Sequence, residues 1–383
     1  MRCRRGSRRL RRPRSRGTQW RFCCRARTRR KGSYMIAARG PQTRACSPCR
    51  RTSRSVKRQH CRLASAYPSH MARIIVSGSI AYDRIMDYDG LFGDHIIVEK
   101  VRSINLSFIV KKLAVEHGGT AGNIAYNLAL LGEKPEIIAT VGEDFGAYRS
   151  HMLLSGIDPT TVRMVEGEMT STAYVFTDKA DNQIAAFHPG AGAQPYDTLV
   201  DIDGRSFAFI APGNVDDMRA LPQHYRQHGL KYYYDPGQQI TALTDEELIG
   251  GIHGADALFG SDYELTMLME KTKMTEVTLL EHVPTIIMTN GFDGADVITN
   301  EGRLHVPQVP QQQVLDPTGS GDAFRAGYMK GIILGLPAQS CVRLGCVIAS
   351  FAVERYGTQA HKFSLPDVAA RYNTAYQENI PLM

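Results

Sequence analysis

Two aspartates bracket a glycine turn in DPTGSGDAFRAG, residues 316–327, and an amphipathic run follows at once. Gly319 and Gly321 permit a tight turn with bare amides, and the pattern predicts a helix that starts at about Ser320 to Asp322. The unpaired N–H groups of that first turn and the positive end of the helix dipole make a ready anion site. Asp322 would sit beside whatever anion binds. A carboxylate next to an anion hole suits a general base, which takes a proton from a hydroxyl while the amides stabilise the charge growing on a transferring phosphoryl group. The competing reading is an Asp that only caps the helix.

Two further clusters have the same flavour. HGGTAGN, residues 117–123, opens a second helical run with Gly118, Gly119, Gly122 and Asn123. Close backbone approach plus an amide side chain suits a polyhydroxyl ligand, although ordinary loop glycines before a helix would look alike. In VSGSIAYD, residues 76–83, Ser79 and Asp83 lie just past the carboxyl end of a strand-like run, where α/β sheets bind ligands. A carboxylate there can accept from two vicinal hydroxyls, or it is a solvated loop residue.

The elements that must position these residues alternate along the chain. RIIVSGS, EIIATVG, FAFIAPG, KYYYDPG, DALFGSD and TIIMTNG are strand-like; GNIAYNLALLG, FGAYRSHMLLSG, VDDMRALPQHYRQHG, DEELIGGIHG, YELTMLMEKT and the runs at 320–334 and 339–355 are helical. Strands alternating with helices of this length imply an α/β domain, a mostly parallel sheet with helices on both faces. Short β-rich insertions at about 84–117 and 168–192 interrupt the pattern, and DKADNQ reads as the turn of a hairpin. Such insertions commonly act as lids over the carboxyl ends of the strands. No G-x-x-x-x-G-K-[ST], H-E-x-x-H or G-x-S-x-G occurs, and Phe324 stands where a third glycine would complete a dinucleotide fingerprint.

Composition divides the 383 residues in two. Residues 1–70 hold 23 Lys and Arg, no Asp or Glu, and six of the eight cysteines; residues 71–383 carry a net charge of −15. The body is therefore an acidic, Cys-poor domain with no disulfide framework, expected in the cytoplasm and without affinity for nucleic acid. The basic extension lacks a periodic apolar face, an 18-residue apolar run and a secretory h-region. It is expected to be disordered, as a transit peptide, a nucleic-acid-binding arm or an upstream stretch translated from a misplaced start. The abrupt passage from tail to strand at Met71 favours the last. Nothing in 1–70 or beyond predicts a membrane span, and the sequence leaves the oligomeric state open, a homodimer included.

Taken in order, the three clusters resemble the ribokinase family, the PfkB-type carbohydrate and nucleoside kinases, over about residues 71–365. GGTAGN looks like that family's first signature and DPTGSGDAFRAG like its second. GSIAYD, INLSF, QIAAFHPGA, YYYDPGQQ, SDYE and FRAG are most similar to adenosine kinases of the bacterial type. The resemblance implies a ribokinase-like three-layer fold with a small β-rich lid. The activity it implies is ATP- and Mg²⁺-dependent phosphorylation of the adenosine 5′-hydroxyl, a purine-salvage reaction. Asp322 then matches the catalytic base, with Gly319, Ser320 and Gly321 as its anion hole. Asp83, Asn123 and Gly119 match ribose binders, Ser79 and Ser107 line the pocket, Phe187 stacks on the purine and Gln239 forms a wall. Thr289, Gly291 and Gly294 match the ATP loop, and Glu264 matches the carboxylate that organises magnesium-bound water. Ser261 stands where that motif has Asn, and Asn290 where many relatives have Lys. The neighbouring readings are a ribokinase-like sugar kinase or an inosine or guanosine kinase. A non-catalytic nucleic-acid-binding protein using the basic arm is opposed by the presence of Asp322, Asp83, Asn123 and the complete glycine turn.

Overall fold

The computed structural model describes residues 73–96, 106–180, 182–198, 202–203, 206–311 and 313–382. The basic extension 1–70 and the disorder expected of it lie outside the described residues.

The apolar runs pair into an eight-stranded sheet. Its core is β1 (Arg73–Ser77), β4 (Pro135–Ile138), β9 (Ser206–Ile210), β10 (Lys231–Tyr234), β11 (Ala257–Ser261) and β12 (Ile286–Thr289), all parallel. Two antiparallel strands, β13 (Ala295–Thr299) and β14 (Gly302–Val306), extend it, giving the order β14-β13-β12-β11-β10-β9-β1-β4. The period of two along each strand feeds two cores. Ile74 and Val76 of β1, with Phe207 and Phe209 of β9, face one; Ile75, Ala208 and Ile210 face the other. The first is covered by α1 (Thr120–Leu130), α7 (Ser320–Ile333), α8 (Ala338–Ala352) and α9 (Leu365–Tyr376). The second is covered by α3 (Val215–Gln227), α4 (Asp245–Ile252), α5 (Asp262–Thr272) and α6 (Glu276–Leu279). This is the three-layer arrangement expected from the alternation.

A second, four-stranded sheet has the order β3-β2-β7-β8, from β2 (Ala81–Asp87), β3 (Lys112–Gly118), β7 (Ser171–Thr177) and β8 (Gln183–His188). Asp178 closes the β7–β8 turn by accepting from the backbone N–H of Ala180 and Asn182, each at 2.9 Å, and from that of Phe92 at 3.0 Å. Burial raises its pKa, yet the bonds from Asn182, Phe92 and Ala180 outweigh this and hold the carboxyl at about 2.

One element differs from its sequence pattern in a way that matters for the site. EIIATVG reads as a single strand, but β4 ends at Ile138 and the chain leaves the main sheet. It continues as β5 (Thr140–Gly142), paired in parallel with β6 (Arg163–Val165), and then enters α2 (Gly146–Leu154). The break opens the sheet edge at Ala139 and Thr140.

Candidate active site

A cleft of about 550 Å³ lies over the carboxyl ends of β1, β4, β9 and β10, roofed in part by the small sheet. Ser79, Asp83, Gly119, Asn123, Phe187, Gln239, Gly319 and Asp322, predicted from the sequence, all line it. Ser107 does not; it is exposed on the segment leading into β3. Backbone geometry explains the glycines at the two ends of the site. Gly119, at φ 87°, would put a Cβ within 2.6 Å of the Ser79 carbonyl oxygen. Gly319, at φ 76°, would meet Thr358 at 2.9 Å. The turn at Gly119 is tied down by Ser79, whose Oγ accepts from the Thr120 N–H at 3.0 Å and whose carbonyl accepts from Ala121 N–H at 3.0 Å.

Gly319 immediately precedes α7, and no side chain caps this helix. Asp322 is thus not a cap. Its Oδ2 instead accepts from Asn123 Nδ2 at 2.8 Å, joining the first turns of α1 and α7 across the cleft floor. The Ser320 N–H donates to the Pro317 carbonyl at 3.2 Å, and the following two amides, of Gly321 and Asp322, fall where a helix offers no partner. Burial pushes Asp322 up to about 6, against the charge of Arg325 and the Asn123 hydrogen bond, with Asp235 and Glu264 adding like-charge repulsion. Arg325, one turn on, is ion-paired with buried Asp235. Asp83 is pushed up to about 6 as well, by burial and then by Asp316 and Glu116. It packs so tightly on Gly118 that a Cβ there would lie 2.4 Å from Asp83 Oδ2.

Behind Asn123 lies a network that sequence reasoning missed. Gln359 Nε2 donates to Asn123 Oδ1 at 3.0 Å, which fixes the amide so that its nitrogen faces Asp322. The same nitrogen donates to Tyr148 Oη at 2.6 Å, and Gln359 Oε1 is 2.9 Å from His151 Nε2. His151 stacks on His117 with ring centroids 4.2 Å apart. Burial, then His151, depresses His117 to about 4, so this layer is uncharged at neutral pH. Gln359 lies 236 residues from Asn123, in a stretch with no motif; only the fold joins them.

A second cavity of about 150 Å³ holds Thr289, Gly291 and Gly294, together with Phe292, Ser320, Gly321 and Phe324. The start of α7 is therefore the wall between the two cavities: Gly319 and Asp322 face the larger, Ser320 and Gly321 the smaller. Ser261 and Glu264 line neither cavity. They form a reciprocal cap at the start of α5, Ser261 donating to Glu264 Oε2 through its N–H and its Oγ, each at 2.8 Å. Also missed from the sequence were Thr140, Asn214 and Asp217, which line the larger cleft near the open edge of the sheet. Asn214 is recognisable in retrospect as the residue before an amphipathic run with two acids in its first turn.

Two cavities on either side of a carboxylate and a helix start, on a three-layer α/β fold, suit a phosphotransferase with an alcohol acceptor. Residues 71–364 match the pfkB family of carbohydrate kinases, and the chain belongs to that family. It is 30% identical over 296 residues to a nucleoside kinase of Methanothermobacter thermautotrophicus, covering 76% of this chain and 95% of the relative. The structure of the Burkholderia thailandensis nucleoside kinase in complex with inosine is 33% identical, with a TM-score of 0.72, over 80% of this chain and 99% of that one. The same kinase in complex with ADP-inosine superposes with a TM-score of 0.70 at 33% identity, over 80% and 97% of the two chains. The protein is an ATP-dependent nucleoside or carbohydrate kinase that works with Mg²⁺. Among the described residues no helix is long and apolar enough to cross a membrane.

Proposed function

We propose that this protein transfers the γ-phosphoryl group of ATP to the 5′-hydroxyl of a purine nucleoside. The observation that carries this reading is the Asn123–Asp322 hydrogen bond at the wall between the two cavities. Asp322 is ionised at neutral pH because its carboxyl titrates at about 6, and a base with that pKa is well matched to a hydroxyl proton near pH 7. Asn123 holds the carboxylate in place while the Gly321 and Asp322 amides receive the transferring phosphoryl group. The Asp83 carboxylate accepts no hydrogen bond among the described residues, and so is free to accept from the vicinal ribose hydroxyls. Phe187 is 60% exposed on the edge strand of the small sheet and faces the cleft, as a residue that stacks on a base must.

No three His, Cys, Asp or Glu side chains converge among the described residues, which suits a Mg²⁺ that keeps its waters and is carried on the phosphates. Glu264 has Oε1 left over from its cap and would hold one of those waters; the ion would supply charge neutralisation to the phosphates. Adenosine, implied by the sequence resemblance, and inosine, bound by the Burkholderia kinase, both belong to the proposed acceptor class. The aromatic residue on the lid favours either over a free pentose, which offers no π-face. ATP turnover over a panel of nucleosides and pentoses tests the reading: purine nucleosides are expected to be used best. Efficient use of ribose with no nucleoside turnover would replace the proposal with a sugar kinase.

A further inference from the structure

The end of the larger cleft away from α7 carries polar groups that neither phosphoryl transfer nor ribose binding uses. Along the carboxyl ends of the strands the order runs from Thr289 at the end of β12, through Gln239 after β10 and Asp217 in the first turn of α3, to Thr140 at the open edge beyond β4. Asp217 and Thr140 therefore lie toward the opposite side from the smaller cavity. A nucleoside with its 5′-oxygen at Asp322 would have room for its base on that side of the same cleft.

Thr140 is only 6% exposed, lines the cleft and leaves its Oγ without any hydrogen-bond partner. The hydroxyl oxygen is itself enclosed, so this end of the cleft leaves the recognition of a base edge to Asp217. Asp217 has one oxygen in structural use: Oδ1 accepts from the Tyr196 N–H at 2.8 Å. The helix start does not need the carboxylate, because Asn214 Oδ1 already accepts from the N–H groups of Asp216 and Asp217, at 2.9 and 3.2 Å. The second oxygen, Oδ2, has no protein partner among the described residues.

We propose that Asp217 is a specificity-determining residue, its free carboxylate oxygen accepting the N1–H of a 6-oxopurine. The proposal deepens the purine nucleoside reading and rests on it. An ionised carboxylate only accepts hydrogen bonds. Inosine and guanosine present a donor at N1, and guanosine a second at its 2-amino group. Adenosine presents an acceptor at N1 and would set two acceptors face to face. A site built to satisfy one pattern rejects the other because a buried polar group is left unpaired.

The selectivity also has a pH dependence. Burial pushes Asp217 up to about 6, the Tyr196 N–H opposing it, Asp216 and Asp197 raising it and Arg163 lowering it. The side chains bearing on it are thus Asp216 of its own helix, Asp197 before β9 and Arg163 of β6, and the Tyr196 and Tyr225 phenols feel its charge in turn. Once protonated, the carboxyl can donate to adenosine N1, so acid shifts the preference toward adenosine.

The test is the ratio of kcat/KM for inosine to that for adenosine, at pH 8 and pH 5.5, in the wild type and in Asp217→Asn. Taking the ratio cancels the titration of the shared base Asp322. The Asn side chain keeps the acceptor for Tyr196 and replaces only the free oxygen by a donor. We expect the wild type to favour inosine by about tenfold or more at pH 8 and less at pH 5.5. In Asp217→Asn the ratio should fall at least about tenfold, through the KM for inosine, and lose its pH dependence. A ratio unchanged by the substitution would overturn the assignment. Should the variant prove unstable, calorimetric binding of both nucleosides to the wild type decides the matter. Adenosine must gain on inosine as pH falls through 6, and a ratio flat with pH would refute the role. Turnover of pentoses but of no nucleoside would sink the underlying function, a different result from equal use of inosine and adenosine.

Discussion

The Asp322 carboxylate, proposed above as the general base, should be a burden on the fold, and Asp322→Asn measures it. In the folded protein the carboxyl titrates at about 6 rather than 3.8, because burial and the charges of Asp235 and Glu264 outweigh Arg325 and the Asn123 hydrogen bond. A shift of about two units at about 1.4 kcal/mol each makes the ionised form cost about 3 kcal/mol. The sign follows from the raised value. Below about pH 4 the carboxyl is protonated in both folded and unfolded chains and costs nothing. Between about 4 and 6 the unfolded chain releases its proton first, and above about 6 the full penalty falls on the folded state. The amide variant carries no charge at any pH and still accepts from Asn123 Nδ2. It should therefore exceed the wild type in stability by up to about 3 kcal/mol at pH 8, the gain shrinking toward zero at pH 4. Urea denaturation at both pH values reads this directly, as a higher midpoint with unchanged slope. In parallel, kcat with ATP and a purine nucleoside should fall at least about 10²-fold, the low end for a lost general base. A variant no more stable than the wild type at pH 8, or a difference independent of pH, would refute the buried-charge argument. Activity within a factor of a few would refute the base.

Phe187→Ala should raise the KM for the nucleoside about 5- to 150-fold, from a lost stacking contact of roughly 1–3 kcal/mol, and leave the KM for ATP nearly unchanged. Phe292, 71% exposed yet lining the smaller cavity, should show the reverse on substitution by Ala; equal rises in both KM values for either variant would mean simple destabilisation. Gln359→Met frees the Asn123 amide that it now orients, so kcat should drop about tenfold. The acid limb of the rate profile should also move to higher pH, because the Asn123 donor favours ionised Asp322. An unmoved limb would leave Gln359 a packing residue. Deletion of residues 1–70 should change neither melting temperature nor activity, since the family match begins at 71 and β1 at Arg73; a loss of either would assign the extension a role in the kinase.

The central strands were legible because burial on both faces leaves little choice of residue: IIV, FAFI and YYY run unbroken through β1, β9 and β10. The departure at Ala139 was not legible, since a strand that stops pairing with one sheet and starts with another keeps its composition. Strands β13 and β14 went unread, their alternation in ADVIT and GRLHV being too short to stand out. Helix α9 carried a readable signal in Ser364, Pro366 and Asp367, which form a reciprocal cap with a proline in the first turn. Within the site, glycines set by backbone geometry could be read and residues set by distant packing could not. Gly119 and Gly319 declare themselves because a side chain there is strained at positive φ. Gln359, Thr140 and Asp217 have ordinary types in ordinary contexts, and only tertiary structure brings them to the cleft.

Asp322 shows where the boundary falls. From the sequence, an aspartate just inside a helix start serves equally well as cap or base, because both roles want an acceptor near free amides. The backbone excludes the cap and leaves the carboxylate free for the proposed role of base. With Gly319 in the left-handed region and packed on Thr358, the chain enters α7 with no side chain on its first amides. The Asp322 carboxylate is left to Asn123, whose own orientation is set by Gln359 from the far end of the chain. The amides stay available to an anion because the carboxylate is held elsewhere, and the carboxylate stays basic because it is buried with one neutral donor on it. One arrangement of α1 and α7 thus provides both halves of the proposed chemistry. A substitution that turned Asp322 onto its own helix amides would remove the base and fill the anion site in the same movement.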